Sequence, residues 1–100
     1  MVLEAGGATF DIARSRVLVE GYVVHVPARE APLLAALMQH PGQVISCVEL
    51  QLAADDTARY SVPVDRLVRR LRRRLQASPL SPPRIHRVGA AGYVFSIDPR

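Results

Sequence analysis

The segment from residue 64 to residue 75, VDRLVRRLRRRL, restricts the fold more than any other part of this chain. Placed on a helix at about 100° per residue, its apolar residues fall on one face and its arginines concentrate on the other. The apolar face holds Val64, Val68, Leu71 and Leu75, and the arginine face holds Arg66, Arg69, Arg70 and Arg73. One face of such a helix must pack on a core while the other stays outside. We therefore predict an amphipathic helix over residues 62–77.

The remaining residues of this segment border the arginine face. Arg72 and Arg74 lie on its two flanks, and Leu67 lies at its edge. Asp65 precedes Arg69 by four residues and Arg72 by seven, which places its carboxylate beside both guanidinium groups. We predict that Asp65 pairs with both arginines and that its charge favours the positive end of the helix dipole.

The distribution of charge points to a polyanionic partner. The chain has 13 basic and 9 acidic side chains, all of the basic ones arginine, and a net charge of +4. Residues 1–56 hold three arginines and seven acids, a net charge of −4, whereas residues 57–100 hold ten arginines and two acids, a net charge of +8. A GC-rich genome explains arginine in place of lysine but not this clustering. Such clustering favours nucleic acid first and an acidic membrane surface second.

Length and composition indicate a single domain over residues 1–100. A chain of 100 residues that is 49% hydrophobic can bury a core without metals or disulfides. No apolar run approaches the roughly 18 residues that a membrane-spanning helix needs. Cys47 is the single cysteine, which fits a reducing compartment, so a cytoplasmic location is expected. Its place beside a predicted helix start allows either a thiol sensor or an incidental cysteine.

Hydrophobic periodicity predicts an α+β fold. Residues 8–27 alternate at period two and indicate a small antiparallel meander of three strands. Helices follow over residues 29–40 and 47–53, and a hairpin closed by four small residues follows the arginine helix over residues 84–97. This order predicts a winged helix-turn-helix with an N-terminal antiparallel sheet, a three-helix core and a C-terminal wing.

The second predicted helix opens with a capping box. Ser46 and Glu49 stand in S-x-x-E spacing, which satisfies two amides that a helix start leaves unpaired. Val44 and Ile45 are expected to lead from the first helix into it. Three apolar residues of the second helix are expected to be partly buried: Val48, Leu50 and Leu52.

Three alternatives stand for the arginine face taken alone. It can bind nucleic acid, it can stay solvated or contact a protein, or it can lie on an acidic membrane. The major groove of B-DNA, about 12 Å wide, admits a helix, and the planar arginine fork matches guanine or phosphate. The predicted hairpin is basic as well, with Arg84, His86 and Arg87. Double-stranded DNA is therefore the favoured partner, and no membrane partner is expected.

Three segments of the sequence resemble the OmpR/PhoB-type winged-helix DNA-binding domain of bacterial response regulators. The first is E-x-x-L-L-x-x-L from Glu30 with P-G-x-V-x-S-x-x-x-L from Pro41, the second is V-D-x-x-V-x-R-L-R-x-x-L from Val64, and the third is I-x-x-V from Ile85 with G-Y-x-F from Gly92. They stand in the order and spacing of the family. With the N-terminal strands, the resemblance covers residues 8–97.

The resemblance implies sequence-specific DNA binding in bacterial transcription regulation, with the third helix in the major groove and the wing at the adjacent minor groove. Two side chains are then expected to meet base edges, Arg66 and Arg70. Three more are expected to meet phosphates, Arg69, Arg72 and Arg73. The second helix would present backbone amides near Ser46 to another phosphate.

The resemblance also implies partners besides DNA. The loop that contains Asp55, Asp56, Thr57 and Arg59 matches the segment that touches RNA polymerase in activators of this family. Pairing of two copies on DNA is a further expectation. Response regulators of two-component systems carry a receiver domain ahead of this domain, and nothing here resembles one. A piece of a longer regulator and a protein that stands alone are both open.

One departure from the family bears on the wing. Gly89 stands where the family carries an arginine, and Arg87, two residues earlier, is the candidate to contact DNA in its place. The missing arginine supports a second hypothesis, a protein-interaction module on a winged-helix scaffold with weak or no DNA binding.

Catalytic and metal chemistry have no support in the sequence. No catalytic constellation is recognisable, so neither an enzyme nor a cofactor is expected. His25, His40 and His86 lack the spacing of metal ligands, so no metal site is expected. Tyr93 and Phe95 are expected to pack in the hairpin and the core rather than to stack on bases.

Overall fold

A computed structural model describes residues 2–19, 21–54, 63–76 and 84–96. Within them the chain forms, in order, β1 (Val2–Ala5), β2 (Ala8–Asp11), β3 (Arg16–Val19), β4 (Tyr22–His25), α1 (Ala31–Gln39), β5 (Val44–Ile45), α2 (Cys47–Ala54), α3 (Val64–Leu75), β6 (Ile85–Val88) and β7 (Gly92–Phe95). Two antiparallel sheets flank three helices, which confirms the predicted α+β winged-helix class.

The N-terminal sheet is a four-stranded meander in the order β1-β2-β3-β4. The sequence predicts three strands from residue 8 onward, and β1 is the strand that this prediction missed. Its side chains only alternate between exposed and half-buried, so the period-two signal is weak. Gly6 and Gly7 join β1 to β2 with φ of +53° and +79°, the pair of left-handed conformations that a two-residue hairpin turn favours.

One buried cluster holds the sheets and helices together. The strands contribute their inward-facing residues, among them Phe10, Val17 and Phe95, all with no exposed surface. From α1, four residues on one helical face are buried: Leu33, Leu34, Leu37 and Met38. Pro32 lies in the first turn of α1, where the missing amide hydrogen costs nothing.

The helix α2 begins at the predicted Ser46–Glu49 pair, which among the described residues caps one backbone amide rather than the two of a full capping box. The Glu49 amide donates to Ser46 Oγ at 3.1 Å, and Ser46 Oγ donates to Glu49 Oε1 at 3.4 Å. Of the three residues expected to be partly buried, only Leu50 packs in the core, while Val48 and Leu52 are each 69% exposed. The prediction for these two was wrong because they lie one turn apart on the outward face of α2.

The C-terminal sheet has the order β5-β7-β6, so the wing hairpin is not an isolated pair. Residues 44 and 45, expected only to lead into α2, form β5 and pair with β7 through Val44↔Val94 and Ile45↔Tyr93. The Gly42 amide also donates to the Phe95 carbonyl at 2.9 Å. The base of the wing is thereby attached to the segment that begins α2.

Candidate nucleic-acid interface

The helix α3 separates apolar and basic residues as the sequence predicts. Five residues on one side are buried: Val64, Leu67, Val68, Leu71 and Leu75. Leu67, expected at the edge of the arginine face, is only 3% exposed and belongs to the core. The apolar stripe of a packed helix is about 100° wide or more, so it reaches Leu67 as well.

Five arginines of α3 form the arginine surface: Arg66, Arg69, Arg70, Arg72 and Arg73, all exposed. The ion pairs among the described residues join Arg14 to Asp11 and Arg74 to Glu30. No carboxylate of that part of the chain therefore pairs with the arginine surface. Like charges at this density repel one another, and an anionic partner relieves that repulsion.

Arg74 has a structural role that sequence reasoning missed. Its Nε lies 2.9 Å from Oε1 of Glu30, whose side chain is 3% exposed at the start of α1. The pair connects the last turn of α3 to the first turn of α1. An acid directly before the apolar positions of a helix is the sequence signal that could have pointed to Glu30.

Asp65 does not pair with Arg69 and Arg72 as predicted. Its Oδ1 instead accepts a short hydrogen bond from the Tyr93 hydroxyl, and Tyr93 is 4% exposed in β7. The expectation that Tyr93 and Phe95 are buried hairpin and core residues agrees with their positions. A hydrogen bond from a tyrosine 28 residues away thus replaces the predicted ion pairs of Asp65 with two arginines of its own helix.

Of the three predicted basic residues of the wing, one is buried and two are exposed. Arg84 is 4% exposed and donates from Nε to the Gly6 carbonyl at 3.2 Å, so it fastens the wing base to the first hairpin turn. His86 and Arg87 are exposed. Arg87 Nε donates to the Gly89 carbonyl at 3.3 Å, which holds its guanidinium group at the hairpin turn.

Two smaller features accompany the arginine surface. Arg69, Arg72, Arg73 and Gln76 line an open hollow of about 210 Å³ near the end of α3. Ser46 lies at the start of α2 with its hydroxyl engaged in the capping box, so only backbone amides there remain as candidate phosphate ligands. The predicted polymerase-contact residues Asp55, Asp56, Thr57 and Arg59 lie outside the described residues.

Neither metal chemistry nor a membrane span finds support in residues 2–19, 21–54, 63–76 and 84–96. These residues contain no group of three or more histidine, cysteine, aspartate or glutamate side chains placed to hold a metal ion. No helix among them is long and apolar enough to cross a bilayer.

Alkaline pH is expected to weaken the contact between α3 and the wing. Burial raises the pKa of Tyr93 from 10.0 to about 12, and the hydrogen bond and charge of Asp65 add to the rise. Folding then favours the neutral phenol, so its contribution is complete below pH 10 and is lost as pH rises toward 12. The loss should reach about 2 kcal/mol.

Urea unfolding at pH 9 and pH 11.5 measures this loss of stability, and Tyr93→Phe should lose less stability over that interval. An equal loss in both proteins would contradict this prediction.

A three-helix core, an exposed arginine helix and a hairpin wing define the winged helix-turn-helix class. The chain belongs to the family described as "Transcriptional regulatory protein, C terminal", which matches residues 21–95. The predicted relationship to OmpR/PhoB-type effector domains is thereby confirmed.

Relatives and solved structures agree with this assignment. The two-component response regulator PhoP of Pseudomonas aeruginosa is 38% identical over 96 residues, which cover 94% of this chain and 42% of that protein. Regulatory protein VirG of Agrobacterium tumefaciens is 37% identical over 93 residues, 90% of this chain and 35% of VirG. The chain thus spans well under half the length of these relatives.

The structural comparison includes a domain bound to DNA. The Klebsiella pneumoniae RstA DNA-binding domain, solved in complex with the RstA box, superposes with a TM-score of 0.76 at 26% identity, covering 95% of this chain and 96% of that one. The DNA-binding domain of CpxR from E. coli has the same fold, with a TM-score of 0.78 at 22% identity, covering 100% of this chain and 99% of that one.

Proposed function

We propose that this domain binds double-stranded DNA sequence-specifically and so regulates transcription in the bacterial cytoplasm, with α3 in the major groove. The observation that carries the proposal is the arginine surface, which is exposed and has no carboxylate partner among the described residues. The family assignment and the RstA domain bound to its box support the same function. No catalytic role is proposed.

The arginine surface divides into base and phosphate contacts by position along α3. Arg66 and Arg70 lie about 40° apart around the helix and nearer its N-terminal end, the part of a recognition helix that meets base edges in the major groove. Arg69, Arg72 and Arg73 line the hollow near the end of α3, which fits a backbone phosphate. The amides at the start of α2, next to Ser46, supply a second phosphate contact.

Arg87 takes the DNA contact of the wing in this proposal. Its guanidinium group lies at the hairpin turn, where the Gly89 carbonyl accepts its Nε hydrogen and leaves the terminal nitrogens for DNA. The turn itself carries only small side chains, Gly89, Ala90, Ala91 and Gly92. Contact of RNA polymerase with Asp55, Asp56, Thr57 and Arg59, and pairing of two copies on DNA, extend the proposal.

Arg70→Ala tests the base contact. If Arg70 bonds a guanine through both terminal nitrogens, the variant should lose about 1–3 kcal/mol of discrimination between its selected site and a scrambled duplex. Selection from a random duplex pool provides the site, and fluorescence anisotropy provides both affinities. Arg73→Ala is the matched control, since loss of a phosphate contact should weaken both duplexes alike. Equal weakening by Arg70→Ala would reassign it to a phosphate.

A protein-interaction module remains the second candidate, favoured by one observation. Val48 and Leu52 form an exposed apolar pair on α2, facing away from the core. Titration of a random duplex at low salt separates the two functions, because phosphate contacts alone give measurable binding there. Absence of binding at tens of micromolar protein would reject the DNA-binding proposal.

A further inference from the structure

Asp65 is a negative charge placed within the arginine surface. Around the axis of α3 it lies about 40° from Arg69 and about 20° from Arg72. An acid four residues before a base is the favoured order for an ion pair on a helix. Left to the helix alone, Asp65 would therefore neutralise an arginine that the proposed function assigns to a phosphate.

The structure shows a different partner for this carboxylate. Tyr93 donates its hydroxyl hydrogen to Asp65 Oδ1, and no carboxylate of the described residues lies within ion-pair distance of Arg69 or Arg72. Tyr93 is fixed in the middle strand of the C-terminal sheet, opposite Ile45 on one side and Arg87 on the other. Strand pairing on both sides therefore fixes the position of the Tyr93 hydroxyl independently of Asp65.

The free energies of the two possible interactions explain why Asp65 pairs with Tyr93 rather than with an arginine. An exposed pair of flexible side chains four residues apart is worth only about 0.3–0.5 kcal/mol, because both must be immobilised. A hydrogen bond from a buried, rigid donor to a carboxylate is charge-assisted and roughly twice as strong as a neutral one. Asp65 turns toward the wing, and its charge no longer engages Arg69 or Arg72.

We propose that Tyr93 is a positioning residue for DNA binding, which holds Asp65 against the wing and thereby keeps Arg69 and Arg72 available for phosphates. The inference rests on the proposed function. Without this restraint, a phosphate would have to displace the Asp65 carboxylate from an arginine. One fewer counterion would then be released from the DNA on binding.

A double-mutant cycle of Tyr93→Phe and Asp65→Asn tests the inference. Tyr93→Phe should weaken binding to duplex about threefold to tenfold at low salt and reduce the slope of log K against log salt by about one. Asp65→Asn in the Tyr93→Phe background should restore both quantities to those of Asp65→Asn alone. If Tyr93 only supported the fold, the two effects would add, and the inference would be wrong. Unchanged affinity in Tyr93→Phe would also overturn it.

A measurement without DNA keeps this result separate from the proposed function. Nuclear magnetic resonance of the arginine Nε–H groups should show the Arg69 signal shift in Tyr93→Phe and return in the double variant. An unmoved signal overturns the inference whatever the DNA does. If the wild-type domain fails to bind duplex, the proposed function fails instead. Circular dichroism establishes that each variant is folded. If Asp65→Asn does not fold, Arg69→Ala replaces it in the test. Arg69→Ala should then cost less affinity in the Tyr93→Phe background than in the wild type.

Discussion

Replacing Gly92 with alanine is expected to cost about 3–5 kcal/mol of folding stability, a large share of what a small domain has. Gly92 has φ of +139°, and a Cβ there would lie 2.0 Å from the Ile45 carbonyl oxygen and 2.9 Å from Ser46 Cα. These are backbone atoms of β5 and of the start of α2. No side-chain rotation can relieve the clash, so the wing must separate from β5.

Gly89→Ala is the matched control for this prediction. Gly89 lies in the same hairpin with φ of +49°, but a Cβ there would have no neighbour within 4 Å. Only the left-handed backbone then opposes the substitution, at about 1–2 kcal/mol. Thermal unfolding compares the two variants, and each kcal/mol should lower Tm by about 4–8 °C in a domain of this size. Similar Tm values for the two variants would contradict the prediction, because they would show that the close approach to Ile45 does not set the cost of Gly92→Ala.

Arg74→Ala is expected to destabilise the fold by about 2–4 kcal/mol, because it leaves the Glu30 carboxylate buried without its ion pair. The Glu30 side chain is 3% exposed and lies 2.9 Å from Arg74 Nε. Arg74 itself is 40% exposed, so water can reach part of the space it vacates, which places the cost toward the lower end for a buried pair.

The neighbouring Arg73 provides the control for Arg74. Arg73 is exposed on the same turn and has no ion-pair partner among the described residues, so Arg73→Ala should change stability by less than about 0.5 kcal/mol. Urea unfolding measures both variants. Arg74→Leu combined with Glu30→Leu should recover much of the loss, since no unpaired charge remains. Equal effects of Arg73→Ala and Arg74→Ala would contradict a special role for Arg74.

The sequence predicted those features that depend on neighbouring residues. The amphipathic helix α3 follows from apolar side chains three and four residues apart, and the capping box of α2 follows from Ser46 and Glu49 three residues apart. The wing hairpin follows from two alternating runs around Gly89 and Gly92. In each, residues close in the chain determine the local conformation, so spacing alone is informative.

Several contacts that the sequence did not predict join residues far apart in the chain. Hydrogen bonds join Tyr93 to Asp65 over a separation of 28 residues, Arg74 to Glu30 over 44, and Arg84 to Gly6 over 78. The strand β5 was missed for the same reason, since two residues carry no period and only β7 makes them a strand. Each of these contacts exists only after the core has formed.

By itself, the sequence determined that one helix would carry a core face and an arginine face, and that a wing would follow it. Only the tertiary structure decided which arginines are engaged within the fold and which remain available to a partner. Arg74 and Arg84 are engaged by Glu30 and Gly6, while Tyr93 removes Asp65 from the arginines. The physical reason is that exposed pairs along a helix are worth a few tenths of a kcal/mol, whereas buried, preorganised partners are worth more and come from distant segments.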